Sequence, residues 1–289
     1  NIIATLVLLP FGNMLVKMAC ATVRDTKEEK VISAEDQEFM ILESRFLSNP
    51  GIAIEQSKTA ARKIAEQSKT ALNLSFGLDN FQEETALRVE KIEAKVDRYE
   101  DELGTYLIKL NQKDLSLEDS HSLSIMLHCI GDFERISDHA VNIMESAQEL
   151  YEKGLKFSEN AKKDLEVLGQ AVEDIVNTAY EVFDKQDMKL AEKIEPLEEV
   201  IDELSKEVKR RHVQRLRNGE CTIEMGFILS DITTCLERVA DHCSNIGVCV
   251  TQVNEDLYDT HSHLNIVKSH PDETFYHELE DARIKYQLS

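Results

Sequence analysis

At 289 residues with 42% apolar side chains, the chain can hold one large domain or two of ordinary size and bury a sizeable core. Its net charge of −22 argues against a nucleic-acid partner, whose phosphates need a basic surface, and suits cations or a basic protein surface. Ten glycines, four prolines, no tryptophan and few strand-like runs predict an all-α fold.

The opening stretch Ile2–Ala19 is mostly apolar but is interrupted by Pro10, Asn13 and Lys17. It lacks the basic leader and small-residue cleavage site of a signal peptide. As a lone span it is poor, since about 20 largely apolar residues are needed. A buried helix of a soluble domain is one reading. The preferred one takes residues 1–23 as the C-terminal part of the last transmembrane helix of a polytopic protein, where neighbouring helices tolerate Pro and Asn. Lys17, Arg24, Lys27 and Lys30 then put everything after about residue 24 in the cytoplasm. Residues 24–49 read as a linker, ended by Asn49-Pro50-Gly51.

Six helices follow in two triplets. The first runs from Ile52 to about Phe76 and contains Glu55-Gln-Ser-Lys-Thr-Ala60, repeated eleven residues later as Glu66 to Ala71. Eleven residues in three turns keep one face in register, so this reads as a packing repeat. The second spans Phe81 to Leu110; the third starts at the Ser116 or Ser120 caps and ends near Leu150. The fourth covers about Ser158 to Phe183, the fifth Met188 to Arg217 and the sixth Thr222 to Leu257. Short connections make neighbours antiparallel. This gives repeat one at 50–153 and repeat two at 154–257, then a tail at 258–289 with a short terminal helix. Four tail histidines (His261, His263, His270, His277) read as solvent-exposed. The six cysteines form no C-x-x-C pair and read as free, mostly buried thiols.

One phrase occurs in both triplets: Glu134-Arg-Ile-Ser-Asp138-His-Ala-Val-Asn142-Ile143 and Glu237-Arg-Val-Ala-Asp241-His-Cys-Ser-Asn245-Ile246. Glu, Asp and Asn at i, i+4 and i+8 form one stripe on a helix. Preceding helices carry Glu93 with Asp97 and Glu198 with Asp202, again four apart. With 55 acidic residues, chance alone supplies about ten i, i+4 acidic pairs. The signal is recurrence at matching places on antiparallel neighbours. Four facing carboxylates need a counter-charge. Two sources compete: a hard cation such as Mg²⁺, Ca²⁺, Mn²⁺ or iron, or the side chains of Arg135, Arg238 and nearby lysines. Asn142 and Asn245 are weaker candidates. His139 and His242 lie about 100° round the helix from the Asp and miss the acidic face. The Glu-x-x-His of di-iron bundles is absent. No nucleophile–base pair or Gly-rich phosphate loop is present, so the chain reads as no enzyme.

These phrases, with the earlier E-x-x-x-D pairs, resemble PhoU domains over about Ile52 to Leu257. The resemblance implies paired three-helix repeats, a role in regulating phosphate uptake, and acidic faces able to bind iron, manganese or magnesium. Glu93, Asp97, Glu134 and Asp138 would form one metal site; Glu198, Asp202, Glu237 and Asp241 the other. Leu42-Glu-Ser-Arg-Phe-Leu-Ser-Asn-Pro-Gly-Ile-Ala-Ile-Glu-Gln56 further resembles the segment joining the membrane part of bacterial sodium/phosphate cotransporters to their PhoU-like tail. It implies a cytoplasmic tail in the inner membrane system, with the transporter's own membrane domain, sodium and inorganic phosphate as partners of the whole protein. A homodimer is compatible with it. The alternative is a free-standing PhoU-type regulator acting on a sensor kinase and a phosphate ABC transporter. Repeat two departs at Cys243, Ser244 and Gly247, extra small residues expected to loosen its packing.

Overall fold

Helix ends follow from local chemistry. In a computed structural model that describes residues 42–78, 81–252 and 273–288, a 3-10 turn at Ser44–Ser48 leads into α1 (Pro50–Ser75), with proline in its first turn. Helix α2 (Glu83–Leu110) precedes α3 (Leu117–Glu152), whose Ser116 Oγ accepts the Asp119 amide at 3.1 Å. Gly154, at φ +62°, lets the chain leave α3 in a left-handed turn. Helix α4 (Glu159–Lys185) starts at Ser158, which caps the Ala161 amide at 3.3 Å. The stretch expected as one helix from Met188 is two: α5 (Met188–Ala191) and α6 (Ile194–Arg217). Pro196 explains the break, because it has no amide proton for the carbonyl of Glu192 and its ring collides there. Helices α7 (Ile223–Gln252) and α8 (Glu273–Lys285) complete the order among the described residues, so the short terminal helix is present. Residues 253–257, expected to extend α7, lie outside the described residues, as do Ile2–Ala19 and the linker through residue 41. Among the described residues no helix is long and apolar enough to cross a membrane.

The all-α expectation holds, and the two triplets α1–α2–α3 and α4–α6–α7 each pack as three-helix units. They join through α3 against α7, which run antiparallel: Asp132 meets His242 and Asn245 near the middle, and Lys153 meets Glu224 at one end. Helix α1 lies against α3 through small residues. Ser57 and Ser68, eleven residues apart, are both fully buried and donate to the carbonyls of Ala53 and Ile64. The eleven-residue period is therefore a packing period: it repeats a slim face that lets α3 approach. Phe133 and Phe183 seal the joint edge-to-face at 5.2 Å.

The small residues of repeat two tighten it rather than loosen it. A Cβ on Gly247 would sit 3.0 Å from Cδ1 of Ile194 and 3.4 Å from its Cβ. Ile194, 1% exposed, fills the space that glycine leaves. Gly247→Val is expected to lower stability by about 1–3 kcal/mol through overpacking, read as a lower urea midpoint at unchanged slope.

Candidate functional site

Each repeat presents an acidic face where its second and third long helices meet. In repeat one, α2 and α3 set Glu93 opposite Asp138 and Asp97 opposite Glu134, so the expected four carboxylates do share one face. A fifth, Glu100, joins them one turn further along α2. Its i, i+4, i+7 spacing with Glu93 and Asp97 was readable from the sequence. The Glu134 carboxyl is pushed up to about 7, by burial first and by Asp138 second, with Arg135 pulling the other way. Glu93 and Glu100 are raised too, again mainly by burial and then by neighbouring carboxylates. Arg135 stands 3.4 Å from both Glu134 and Asp138, but its side chain is 62% exposed. An exposed ion pair of this kind contributes about 0–1 kcal/mol.

Repeat two answers the same problem differently. Lys206 Nζ bonds Asp202 at 2.5 Å. Lys209 Nζ reaches Glu237 at 3.3 Å and the Thr234 hydroxyl at 3.2 Å. Glu198 is buried beside them, and Asp241 lies one turn beyond Glu237 on α7. With the 105-residue offset that aligns Glu93 with Glu198, the positions of Lys206 and Lys209 are held in repeat one by Asp101 and Gly104. One face thus carries its own ammonium groups where the other carries an extra carboxylate.

Oxygen donors facing one another suit a hard cation. Among the described residues, however, no three His, Cys, Asp or Glu side chains converge on a single point. Face one fits such an ion in charge and donor type, with side chains that would have to turn inward. Face two fits poorly, because a cation there must displace two ammonium groups. Repeat two thus carries salt bridges on its face, the half-buried Lys209–Glu237 pair and the Lys206–Asp202 pair, whose lysine is 71% exposed and solvent-screened.

The histidines miss both faces, as their helical angle demands. His139 and His242 meet at the α3–α7 joint with ring centroids 5.7 Å apart. Asp132 accepts from His242 Nδ1 at 2.9 Å and from Asn245 Nδ2 at 3.2 Å, so Asn245 turns away from the acidic stripe. The repeat-two counterpart of Asp132 is Cys235, at the offset of 103 that pairs the two phrases. His139 consequently has a buried Nδ1 with no hydrogen-bond partner among the described residues, and burial, with His242 next, lowers its pKa to about 4. Cys129, Cys243 and Cys249 are buried free thiols, and Cys221 and Cys235 are half-buried.

Comparison with known proteins coincides with this architecture. The model of the PhoU domain matches residues 58–147 and 165–250, one stretch in each helical triplet. The chain belongs to the PhoU domain family. A curated relative from Thermotoga maritima, named phosphate-specific transport system accessory protein PhoU homolog 1, is 35% identical over 115 residues, 40% of this chain. The chain spans about half (49%) of that relative's length. A PhoU homolog of the same description from Deinococcus radiodurans is 26% identical over 166 residues, covering 55% of this chain and 74% of its own. Two crystal structures share the fold. The phosphate transport system regulatory protein PhoU of Streptococcus pneumoniae superposes with a TM-score of 0.65 at 16% identity, over 73% of this chain and 100% of its own. PhoU of Pseudomonas aeruginosa gives 0.58 at 20% identity, over 72% and 96%. The PhoU fold thus accounts for both triplets, and α8 follows them.

Proposed function

We propose that this PhoU-family chain is a non-enzymatic regulator of phosphate transport, acting as an accessory protein to a phosphate import system and its sensor kinase. The observation that carries this reading is the PhoU match falling separately on each triplet, together with relatives named for that accessory role. The test is complementation. In bacterial cells lacking their own PhoU protein, a phosphate-starvation reporter is expressed in rich phosphate; the chain is expected to restore its repression. A reporter that stays on while the chain is folded and abundant would sink the accessory reading.

A second reading rests on the apolar stretch Ile2–Ala19 and the Leu42–Gln56 segment: a cytoplasmic tail of an inner-membrane sodium/phosphate symporter. It requires sodium-dependent uptake of labelled phosphate by the parent gene, and the accessory reading requires none. In either setting, face one of repeat one is the proposed cation site. It collects Glu93, Asp97, Glu100, Glu134 and Asp138 with no lysine among the groups acting on Glu134. Iron, Mn²⁺ and Mg²⁺ all match its oxygen donors. Glu198, Asp202, Glu237 and Asp241 are proposed to stay with Lys206 and Lys209 instead. The metal content expected is therefore that of one face rather than two. Equal metal lost from Asp138→Asn and Asp241→Asn chains would contradict this.

A further inference from the structure

The terminal helix α8 is attached to repeat two in a manner unlike the other long helices. Leu279 is its only buried residue, whereas α1 to α4 and α6 bury nine or more each. Tyr276 and Ile284 stand 58% and 67% exposed. Just after the helix, Tyr286 is 4% exposed and its hydroxyl donates to Asp174 of α4. Further attachments among the described residues include ion pairs at the surface. Arg283 meets Glu203 of α6, Lys285 meets Asp174 at 2.7 Å, and Lys193 meets Glu278 at 2.8 Å. The Leu288 carbonyl accepts from Arg211 at 3.4 Å. Open clefts run along both flanks of the helix. One, of about 390 Å³, lies towards Asn177, Leu190 and Leu197; the other, of about 250 Å³, lies towards Val200, Leu204 and Glu207. Two buried anchors and a few surface charges hold the helix.

Repeat one supplies an independent comparison. Tyr106 is the residue that the 105-residue offset pairs with Arg211. Its hydroxyl donates to the Glu43 carbonyl at 3.5 Å, in the segment that precedes α1. The matching position of each repeat, buried Tyr106 in one and Arg211 in the other, therefore reaches a backbone carbonyl from a stretch of chain outside the triplets. In repeat two, that stretch reveals what the position selects. Anchors seven residues apart, Leu279 and Tyr286, lie on one helical face, and the basic Arg283 and Lys285 between them meet Glu203 and Asp174.

We propose that the groove between α4 and α6 is a helix-docking site that α8 occupies as a displaceable internal ligand. Its external partner is an amphipathic helix with an apolar anchor, an aromatic anchor seven residues on, and basic residues four and six after the first. Helix α8 and that partner compete for the groove, so the groove is available only when α8 leaves. Glu203 and Asp174 set the partner's required sign where Arg283 and Lys285 now sit: positive charge at the helix C-terminus, where the helix dipole also favours it. This inference is independent of the regulatory reading above and of any bound cation.

The test uses the full chain and a fluorescent peptide of residues 273–289. The chain carrying Leu279→Asp with Tyr286→Ser is expected to bind the peptide at least tenfold more tightly than the unaltered chain, by anisotropy. Adding Glu203→Lys to the released chain should abolish that gain. On the unaltered chain, amides of residues 276–284 should exchange with solvent at least a hundredfold faster than those of residues 200–212. Equal peptide binding by released and unaltered chains overturns the proposal. So does exchange in α8 as slow as in α6, or a loss of helicity in the released chain greater than the 13 residues of α8 itself can account for, because either makes α8 part of the fold.

Discussion

Asp164→Ala is expected to lower the unfolding free energy by about 3–5 kcal/mol, because it strands a buried guanidinium. Asp164 is 4% exposed on α4 and receives Arg211 at 3.0 Å and Arg215 at 2.7 Å from α6. Arg215 is 7% exposed, and its Nε and Nη2 have no hydrogen-bond partner among the described residues. The carboxylate is thus the one acidic group bonded to Arg215. Removing it leaves a charge in a low-dielectric site, which costs far more than the hydrogen bond itself. Removing both charges should not: Asp164→Leu with Arg215→Met replaces the pair with apolar volume and is expected to stand near the parent or above it. Urea midpoints of the two variants decide the matter. A single variant costing under about 1 kcal/mol would place the pair among solvent-screened surface bridges.

Caps and periodicity made most of the fold legible. Ser116, Ser158, Pro50 and the glycines at 154 and 219 mark helix ends within two residues of where they fall. The break before Ile194 was legible too, since Pro196 denies a hydrogen bond to the carbonyl four residues earlier; the strong apolar period of Met188–Arg217 masked it. The facing of Glu93 with Asp138 followed from antiparallel triplets carrying the same spacing. The neutralisation of the second face did not. Lys206 and Lys209 read as ordinary exposed charges in a sequence, and only the packing of α6 on α7 brings Lys209 to Glu237. Asp132 was missed for a related reason. Its partners His242 and Asn245 belong to the other repeat, and no local spacing links residues more than a hundred positions apart. Gly247 shows the opposite error: a small residue suggests a loose site until the isoleucine that fills it is seen.

Face one carries the second large expectation, a contribution to stability that falls as pH rises, read as the difference between parent and Glu134→Gln because His139 has the opposite slope. In the folded chain Glu134 keeps its proton up to about pH 7, while the unfolded chain releases it near 4.5. Between those values the folded state holds more protons, so unfolding is favoured progressively and the loss levels off above pH 7. Glu93 and Glu100, raised in the same direction, add to the slope. Glu134→Gln removes the titration and is expected to gain about 1–2 kcal/mol at pH 8, after solvent screening of the nominal shift. A polar-to-polar change that stabilises is unusual, and it marks a face whose charge is kept for something other than folding. The cation proposed for this face would supply the sense of it. Protons and a hard metal ion compete for the same oxygens, so Mn²⁺ should raise the melting temperature of the parent chain at pH 8 and have little effect at pH 5. In Glu134→Gln the apo protein melts higher but gains less from Mn²⁺, two shifts of opposite sign from one substitution. A plain salt-bridge face predicts neither. Equal Mn²⁺ stabilisation of parent and variant would move the binding elsewhere, and an identical pH dependence of parent and Glu134→Gln between 4.5 and 7, a comparison in which the opposite slope of His139 cancels, would show that Arg135 alone balances the carboxylates.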